Sequence, residues 1–187
     1  MNIIIAGISC SGKTTLSNEI PNSLHFKQDW YFKDKKDIPF IKKGYLFDSP
    51  NAFHMIEFRN DVKNLLENGS VCIPNYDIKT NTRISKNTEV KINKINIFEG
   101  LHTITTLKGL EDSIKVFMDI PFEECLLRRI KRDINYGINE KEIRRYFYEI
   151  MIPMYKSYIE IQKEYADLII KGDEDKQCLL KKLQIFY

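Results

Sequence analysis

Several absences narrow what this chain of 187 residues can be. No apolar stretch is long enough to span a bilayer, which argues against a membrane protein. The apolar run at the N-terminus is short and has no basic region before it, so it reads as a strand rather than a secretory leader. Cysteine is sparse: Cys10, Cys72, Cys125 and Cys178 are scattered without metal-ligand spacing, the pattern of reduced thiols in a cytoplasmic protein. His25, His54 and His102 are equally isolated, and none is assigned to a metal. Charge of one sign is lacking too. Lys and Arg number 29 against 26 Asp and Glu, a net charge of +3 that gives no reason to expect nucleic acid or membrane as a partner. There is no repeat, low-complexity tract or dividing linker, so residues 1–187 are expected to form one domain.

What is present begins at Gly7. Gly7-Ile8-Ser9-Cys10-Ser11-Gly12-Lys13-Thr14 fits G-x-x-x-x-G-K-[ST] without mismatch. The run Ile3-Ile4-Ile5-Ala6 before it reads as a buried strand, and Thr15-Leu16-Ser17-Asn18 after it reads as a helix start. In such a loop, backbone N–H groups turn inward around phosphate oxygens, aided by the helix N-terminus. Lys13 would neutralise the β- and γ-phosphates, and the Thr14 hydroxyl would hold Mg²⁺. Gly7, Ser9, Cys10, Ser11, Gly12, Lys13, Thr14 and Thr15 are therefore the expected ATP (or GTP) contacts.

Apolar segments alternate with helical patterns along the rest of the chain, the signature of an α/β fold with a parallel sheet flanked by helices. Strands are expected at residues 23–26, 71–73, 95–98, 116–118 and 168–170. Residues 33–48 read as an irregular connection. A helix capped by Ser49-Pro50 runs to Gly69. Residues 82–93 suggest a small exposed hairpin turning at Lys86-Asn87. Pro121 opens an arginine-rich helix; after a break at Gly137, helix continues from about 140 to 165, interrupted near Pro153, with a short C-terminal helix at the end. Residues of about 133–145 read as a helical lid. In parallel sheets, function collects at the C-terminal strand ends. Those ends carry Asp29, a candidate base for an attacking hydroxyl, and Glu99, a candidate Mg²⁺ ligand; Tyr76-Asp77 and Asp119 are placed there as well. Arg128, Arg129 and Arg132 share a helix side and could be carried over a triphosphate by the lid.

Beyond the loop, the chain resembles the uridine kinase family of P-loop nucleoside kinases. The matching segments are Asp29-Trp30-Tyr31-Phe32, Phe47-Asp48-Ser49-Pro50-Asn51-Ala52-Phe53, Ile73-Pro74-Asn75-Tyr76-Asp77 on to Arg83, Phe98-Glu99-Gly100, Arg128-Arg129-Ile130-Lys131-Arg132-Asp133 and Tyr165-Ala166-Asp167-Leu168-Ile169-Ile170. The resemblance implies the P-loop NTPase fold and ATP-dependent phosphorylation of a nucleoside 5′-hydroxyl, uridine or cytidine giving UMP or CMP in pyrimidine salvage. It implies Asp29 as base, Lys13 and Arg132 at the phosphates, and Asp48 with Arg129 on the ribose hydroxyls. It implies Phe47 and Tyr76 around base and sugar, Asn81 and Arg83 in the same acceptor segment, Thr14 and Glu99 at the metal, and a homo-oligomer.

The chain also departs from that pattern. Asn81 stands where the family has its pyrimidine-reading histidine. Ile78 replaces a phenylalanine and Phe32 a tyrosine. Asn135-Tyr136-Gly137-Ile138-Asn139 replaces a lid sequence with two arginines, leaving Arg144 or Arg145 as candidates to stand in. Ile120–Cys125 and Pro153–Tyr155 resemble nicotinamide riboside kinase, the sibling reading. The missing lid arginines motivate a third: a nucleotide-binding regulator with impaired catalysis.

Overall fold

The structure is a computed structural model and describes residues 1–172 and 177–181. Its core is a five-stranded sheet in the order β2-β7-β1-β8-β9, with every neighbouring pair parallel. These strands are β1 (Asn2–Gly7), β2 (Ser23–Lys27), β7 (Ile95–Gly100), β8 (Ser113–Met118) and β9 (Leu168–Ile170). Ile3, Ile4 and Ile5 have no exposed surface, and β7 is buried along its whole length. Strands covered on both faces read as continuous apolar runs, which is why β1 and β7 stand out in the sequence.

The first helix, α1 (Lys13–Asn18), is only six residues long. Between β2 and β7 lie a 3₁₀ turn at Gln28–Tyr31, a two-residue hairpin of β3 (Phe40–Ile41) and β4 (Gly44–Tyr45), and helix α2 (Met55–Asn68). Strands β5 (Ser70–Asp77) and β6 (Thr82–Lys91) follow. Beyond β7 come α3 (Thr103–Thr106), α4 (Phe122–Ile134) and α5 (Glu140–Tyr146), then helical turns to Tyr165. Acids Glu123 and Glu124 in the first turn of α4 and Lys131 and Arg132 in its last match the helix dipole.

Five expectations need correction. Strand β5 is not part of the parallel sheet. It pairs antiparallel with β6 in a separate two-stranded sheet, so Tyr76-Asp77 do not stand at an end of that sheet. Pro74 does not stop β5; the register shifts between Ile73 and Asn75, and the strand continues past a residue that lacks an N–H. The hairpin turn lies at residues 78–81, not at Lys86-Asn87, because Asp77 builds it: its carboxylate accepts from Lys79 N (2.9 Å) and Thr80 Oγ1 (2.8 Å). The helix expected from Ser49-Pro50 is split into a 3₁₀ turn at Pro50–Ala52 and α2, although Ser49 does cap as expected, accepting from Asn51 N at 3.2 Å. Residues 33–48, expected to be irregular, contain the β3–β4 hairpin.

Pro153 does not break the long helix. Its missing N–H is accommodated by π-helical turns at Phe147–Met151 and Tyr155–Ile159. Of the expected C-terminal helix, residues 177–181 are helical and 182–187 lie outside the described residues. Among the described residues, no helix is long and apolar enough to cross a membrane.

Candidate active site

The loop after β1 wraps Lys13. Its Nζ donates to the carbonyls of Gly7 and Ile8, both at 2.9 Å. An ammonium has three donors, so one remains for an incoming oxygen. Gly7 has no room for a side chain: a Cβ there would meet the Met118 carbonyl of β8 at 2.8 Å. Cys10 holds a left-handed backbone, φ 66°, uncommon for a residue with a Cβ and suited to turning loop N–H groups inward. Ser11 Oγ is buried with no hydrogen-bond partner. An orphaned buried hydroxyl in such a loop is a group that a phosphate oxygen can satisfy.

The loop borders a cleft of about 580 Å³, lined from Cys10 to Thr15 on one side and by Met118, Ile120, Arg128, Arg132 and Ile170 on the other. Arg128 donates from Nη1 to the Cys10 carbonyl at 3.4 Å and from Nη2 to Glu124 at 2.7 Å. Sequence reasoning left Arg128 as one of several helix-face arginines; its long-range contact with Cys10 carries no sequence signal. Arg132 also faces this cleft, with Nε held by Asp133 at 2.7 Å.

Three carboxylates sit in the electrostatic reach of Lys13. Thr14 Oγ1 donates to both oxygens of Glu99, at 3.0 and 3.1 Å. Burial pushes the Glu99 carboxyl above its ordinary range, with Lys13 and Thr14 pulling it back and Asp29 adding to the rise. Asp29 lies in the turn after β2 and is exposed. Desolvation raises its carboxyl, opposed by Lys13, Lys27 and Arg132. Asp48 is 4% exposed. Burial raises it too, opposed chiefly by Arg129, then Lys13, and reinforced by Asp29. Among the described residues, no three His, Cys, Asp or Glu side chains converge as a metal cage. The pair Thr14 and Glu99 fits Mg²⁺ instead, an ion that keeps several waters and takes other ligands from substrate phosphates.

Arg129 lies between the acids and the lid segment. Its Nε is 3.0 Å from Asp133 Oδ2, within ion-pair distance but off the hydrogen-bond direction, and its guanidinium lies over the Tyr146 ring at 5.3 Å. The lid candidates Arg144 and Arg145 are engaged elsewhere: Arg144 with Glu140 at 2.7 Å, Arg145 with the Lys43 carbonyl at 2.9 Å.

An aromatic wall stands outside the residues that line this cleft. Phe32 stacks on Phe53 (4.1 Å between centroids) and meets Tyr76 at 5.2 Å and Phe47 at 6.1 Å. Tyr76 Oη is buried without a hydrogen-bond partner. Arg83 grips Glu57 on α2 through Nη2, 2.7 Å to each oxygen, and its N–H donates to Asp34 at 2.7 Å. Asn81 sits in the hairpin turn at φ 53°, its carbonyl accepting from Lys35 N at 3.0 Å. In this structure Arg83 and the Asn81 backbone tether the hairpin; Phe47 and Tyr76 form the wall. Asp119, a true strand end, is ion-paired with Lys163 at 2.8 Å.

A parallel sheet, a Gly-x₄-Gly-Lys-Thr loop at its first strand and a strand-end carboxylate bonded to that loop define a P-loop kinase, a phosphotransferase with a hydroxyl acceptor. Residues 2–178 match the phosphoribulokinase / uridine kinase family, and the chain belongs to that family. It is 33% identical to the uridine kinase of Mycoplasma genitalium over 98% of this chain and 90% of the relative. It is 34% identical to that of Ligilactobacillus salivarius over 96% and 88%. The structure of a possible uridine kinase from Bacillus stearothermophilus shares the fold, with a TM-score of 0.60 at 18% identity over 91% of this chain and 88% of that one.

Proposed function

We propose that this chain transfers the γ-phosphoryl group of ATP (or GTP) to the 5′-hydroxyl of uridine or cytidine, giving UMP or CMP. The observation that carries the reading is the pairing of Asp29 and Asp48. Both lie within electrostatic reach of Lys13, and Asp29 acts on Asp48; Asp29 is exposed and Asp48 is buried beside Arg129. Each has a distinct task. Asp29 takes the proton from the 5′-hydroxyl as its oxygen bonds to the γ-phosphorus and the bond to the departing diphosphate breaks. Asp48 accepts from the ribose hydroxyls, with Arg129 holding its charge; hydrogen bonds to an ionised acceptor are the strong ones.

Loop N–H groups, Ser11, Lys13 and Thr15 hold the phosphates, and Arg132 faces them from α4. Thr14 and Glu99 hold Mg²⁺, which supplies charge neutralisation at the transferring group. Phe47 and Tyr76 flank the base and sugar, and Tyr76 Oη offers an unsatisfied polar group to the base. Asn81 and Arg83 act on acceptor choice through the hairpin they tether.

A panel of uridine, cytidine, adenosine, guanosine and nicotinamide riboside with Mg-ATP, read as nucleoside monophosphate, tests the proposal. Uridine or cytidine should lead. Turnover led by nicotinamide riboside would move the acceptor to the sibling class. The engagement of Arg144 and Arg145 away from the loop favours one further reading, a nucleotide-binding regulator; ATP binding without turnover of any acceptor would establish it.

A further inference from the structure

His102 has an environment that an isolated histidine in a sequence does not suggest. It is 1% exposed, just beyond the β7 end that carries Glu99. Its backbone N–H donates to Gln28 Oε1 at 3.0 Å, and its ring Nε2 lies 3.0 Å from the Asp48 carbonyl. A carbonyl only accepts, so Nε2 carries the proton. Burial lowers the ring to about pKa 4, which keeps the imidazole neutral at ordinary pH. The ring also meets Phe53 edge-on at 5.7 Å, against the aromatic wall.

Both partners of His102 adjoin functional carboxylates. Gln28 precedes Asp29 and is itself immobile: fully buried, its Nε2 against Met55 Sδ at 3.3 Å and its side chain packed so tightly on Gly100 that a Cβ there would collide. The loop bearing His102 is fixed from its other side by buried Gln162, which donates to the Leu101 carbonyl at 2.7 Å and accepts from Ile104 N at 3.1 Å. The chain Gln28–His102–Asp48 therefore spans the two segments that must present base and sugar ligand in register.

We infer that His102 is a positioning residue for the acceptor: its Nε2–H holds the Asp48 backbone, and the Gln28 side chain holds the His102 backbone, so that the Asp48 carboxylate keeps a fixed place relative to Asp29. This rests on the reading of Asp48 as the ribose ligand. A packing role alone would need only the ring's volume; the Nε2–H aimed at the Asp48 carbonyl, on a backbone that Gln28 fixes, adds direction. Misplacing a positioning group by about 1 Å costs up to 10²-fold in rate.

The test compares the parent with His102→Leu, His102→Gln, His102→Asn and Asp48→Ala, using uridine and 2′-deoxyuridine as acceptors. ATP affinity is measured separately by equilibrium binding. His102→Leu should raise the KM for uridine about 10-fold and erase the preference for uridine over 2′-deoxyuridine, with ATP affinity held within about twofold. His102→Gln, whose amide can place a donor near the Nε2 position, should restore most of the preference; His102→Asn, with a shorter reach, should not. If His102→Leu does not fold, the Gln and Asn pair decides. A parental preference in His102→Leu or His102→Asn, while Asp48→Ala loses it, overturns the positioning role and leaves the ribose reading intact. A parental preference in Asp48→Ala removes the ribose reading and the positioning role with it.

Discussion

Consecutive residues from Gly7 to Thr14 build the phosphate loop beside the cleft, while the proposed acceptor side is gathered from distant parts of the chain. Asp29 comes from the turn after β2, Asp48 from the approach to α2, Tyr76 from β5 and Arg129 from α4. The phosphate side is held mostly by its own backbone: Lys13 on two loop carbonyls, Ser11 N on the Ile8 carbonyl at 3.2 Å. The acceptor side depends on side chains bridging separate elements, as Arg83 bridges β6 to α2. A site closed within one local segment constrains sequence through spacing and can be recognised as a motif. A site assembled over long range constrains it only through packing.

That contrast can be broken at five points, in descending order of expected effect. Asp29→Asn should lower kcat by about 10²–10⁴-fold with ATP affinity largely kept; near-parental turnover would remove the base assignment. Lys13→Ala should lower kcat by roughly 10²–10³-fold and, unlike Asp29→Asn, weaken ATP binding as measured by equilibrium titration. Asp48→Ala should raise the KM for uridine roughly 10- to 100-fold with the KM for ATP little changed, as expected for a lost charge-assisted contact. Equal use of uridine and 2′-deoxyuridine by the parent would count against it.

Arg83→Ala should act more gently, since it loosens the hairpin and leaves the phosphate loop untouched. A rise of roughly two- to fivefold in the KM for uridine is expected from an ion pair of this partial exposure. A far larger rise would place Arg83 directly on the substrate. The smallest effect concerns stability of the unliganded protein. Burial raises the Asp48 carboxyl, so folding favours its neutral form and penalises its ionised form. The penalty is absent below the unfolded pKa and complete above the folded one. Asp48→Asn should therefore have a higher Tm than the parent at pH 8, with the gap closing as pH falls toward 4. A gap that widens in acid would reverse the assigned cause.

The sequence reveals the parts whose cause is local. β1 and β7 are continuous apolar runs because both faces are covered, and the loop motif and the Ser49 cap have fixed spacings. The β5–β6 hairpin was legible only in part. Pro74 reads as a strand end until the register shift beside it is seen, and the weak alternation after residue 82 conceals a single strand. A usable signal did exist: Asp77 with Thr80 and Asn81 is turn chemistry, and it marks where the chain reverses. Gln28, His102 and Arg128 offered no such signal. Their roles depend on partners dozens of residues away, and His102 resembles any other buried histidine until Asp48 is placed beside it.

The β5–β6 hairpin stands apart from the sheet that carries the phosphate loop; β5 packs on α2 and on the turn after β2 with Ile73 in the core, and the far end is tied by Arg83 to Glu57, Arg83 N to Asp34, and Lys35 N to Asn81. On the proposed function, the chain keeps its reaction and its choice of acceptor on separately mutable pieces. Substitutions along the hairpin can reshape the aromatic wall without disturbing Lys13, Thr14 or Glu99. An evolving lineage can exchange one nucleoside for another while phosphoryl transfer stays under unbroken selection, and an engineer can graft hairpins between relatives for the same purpose.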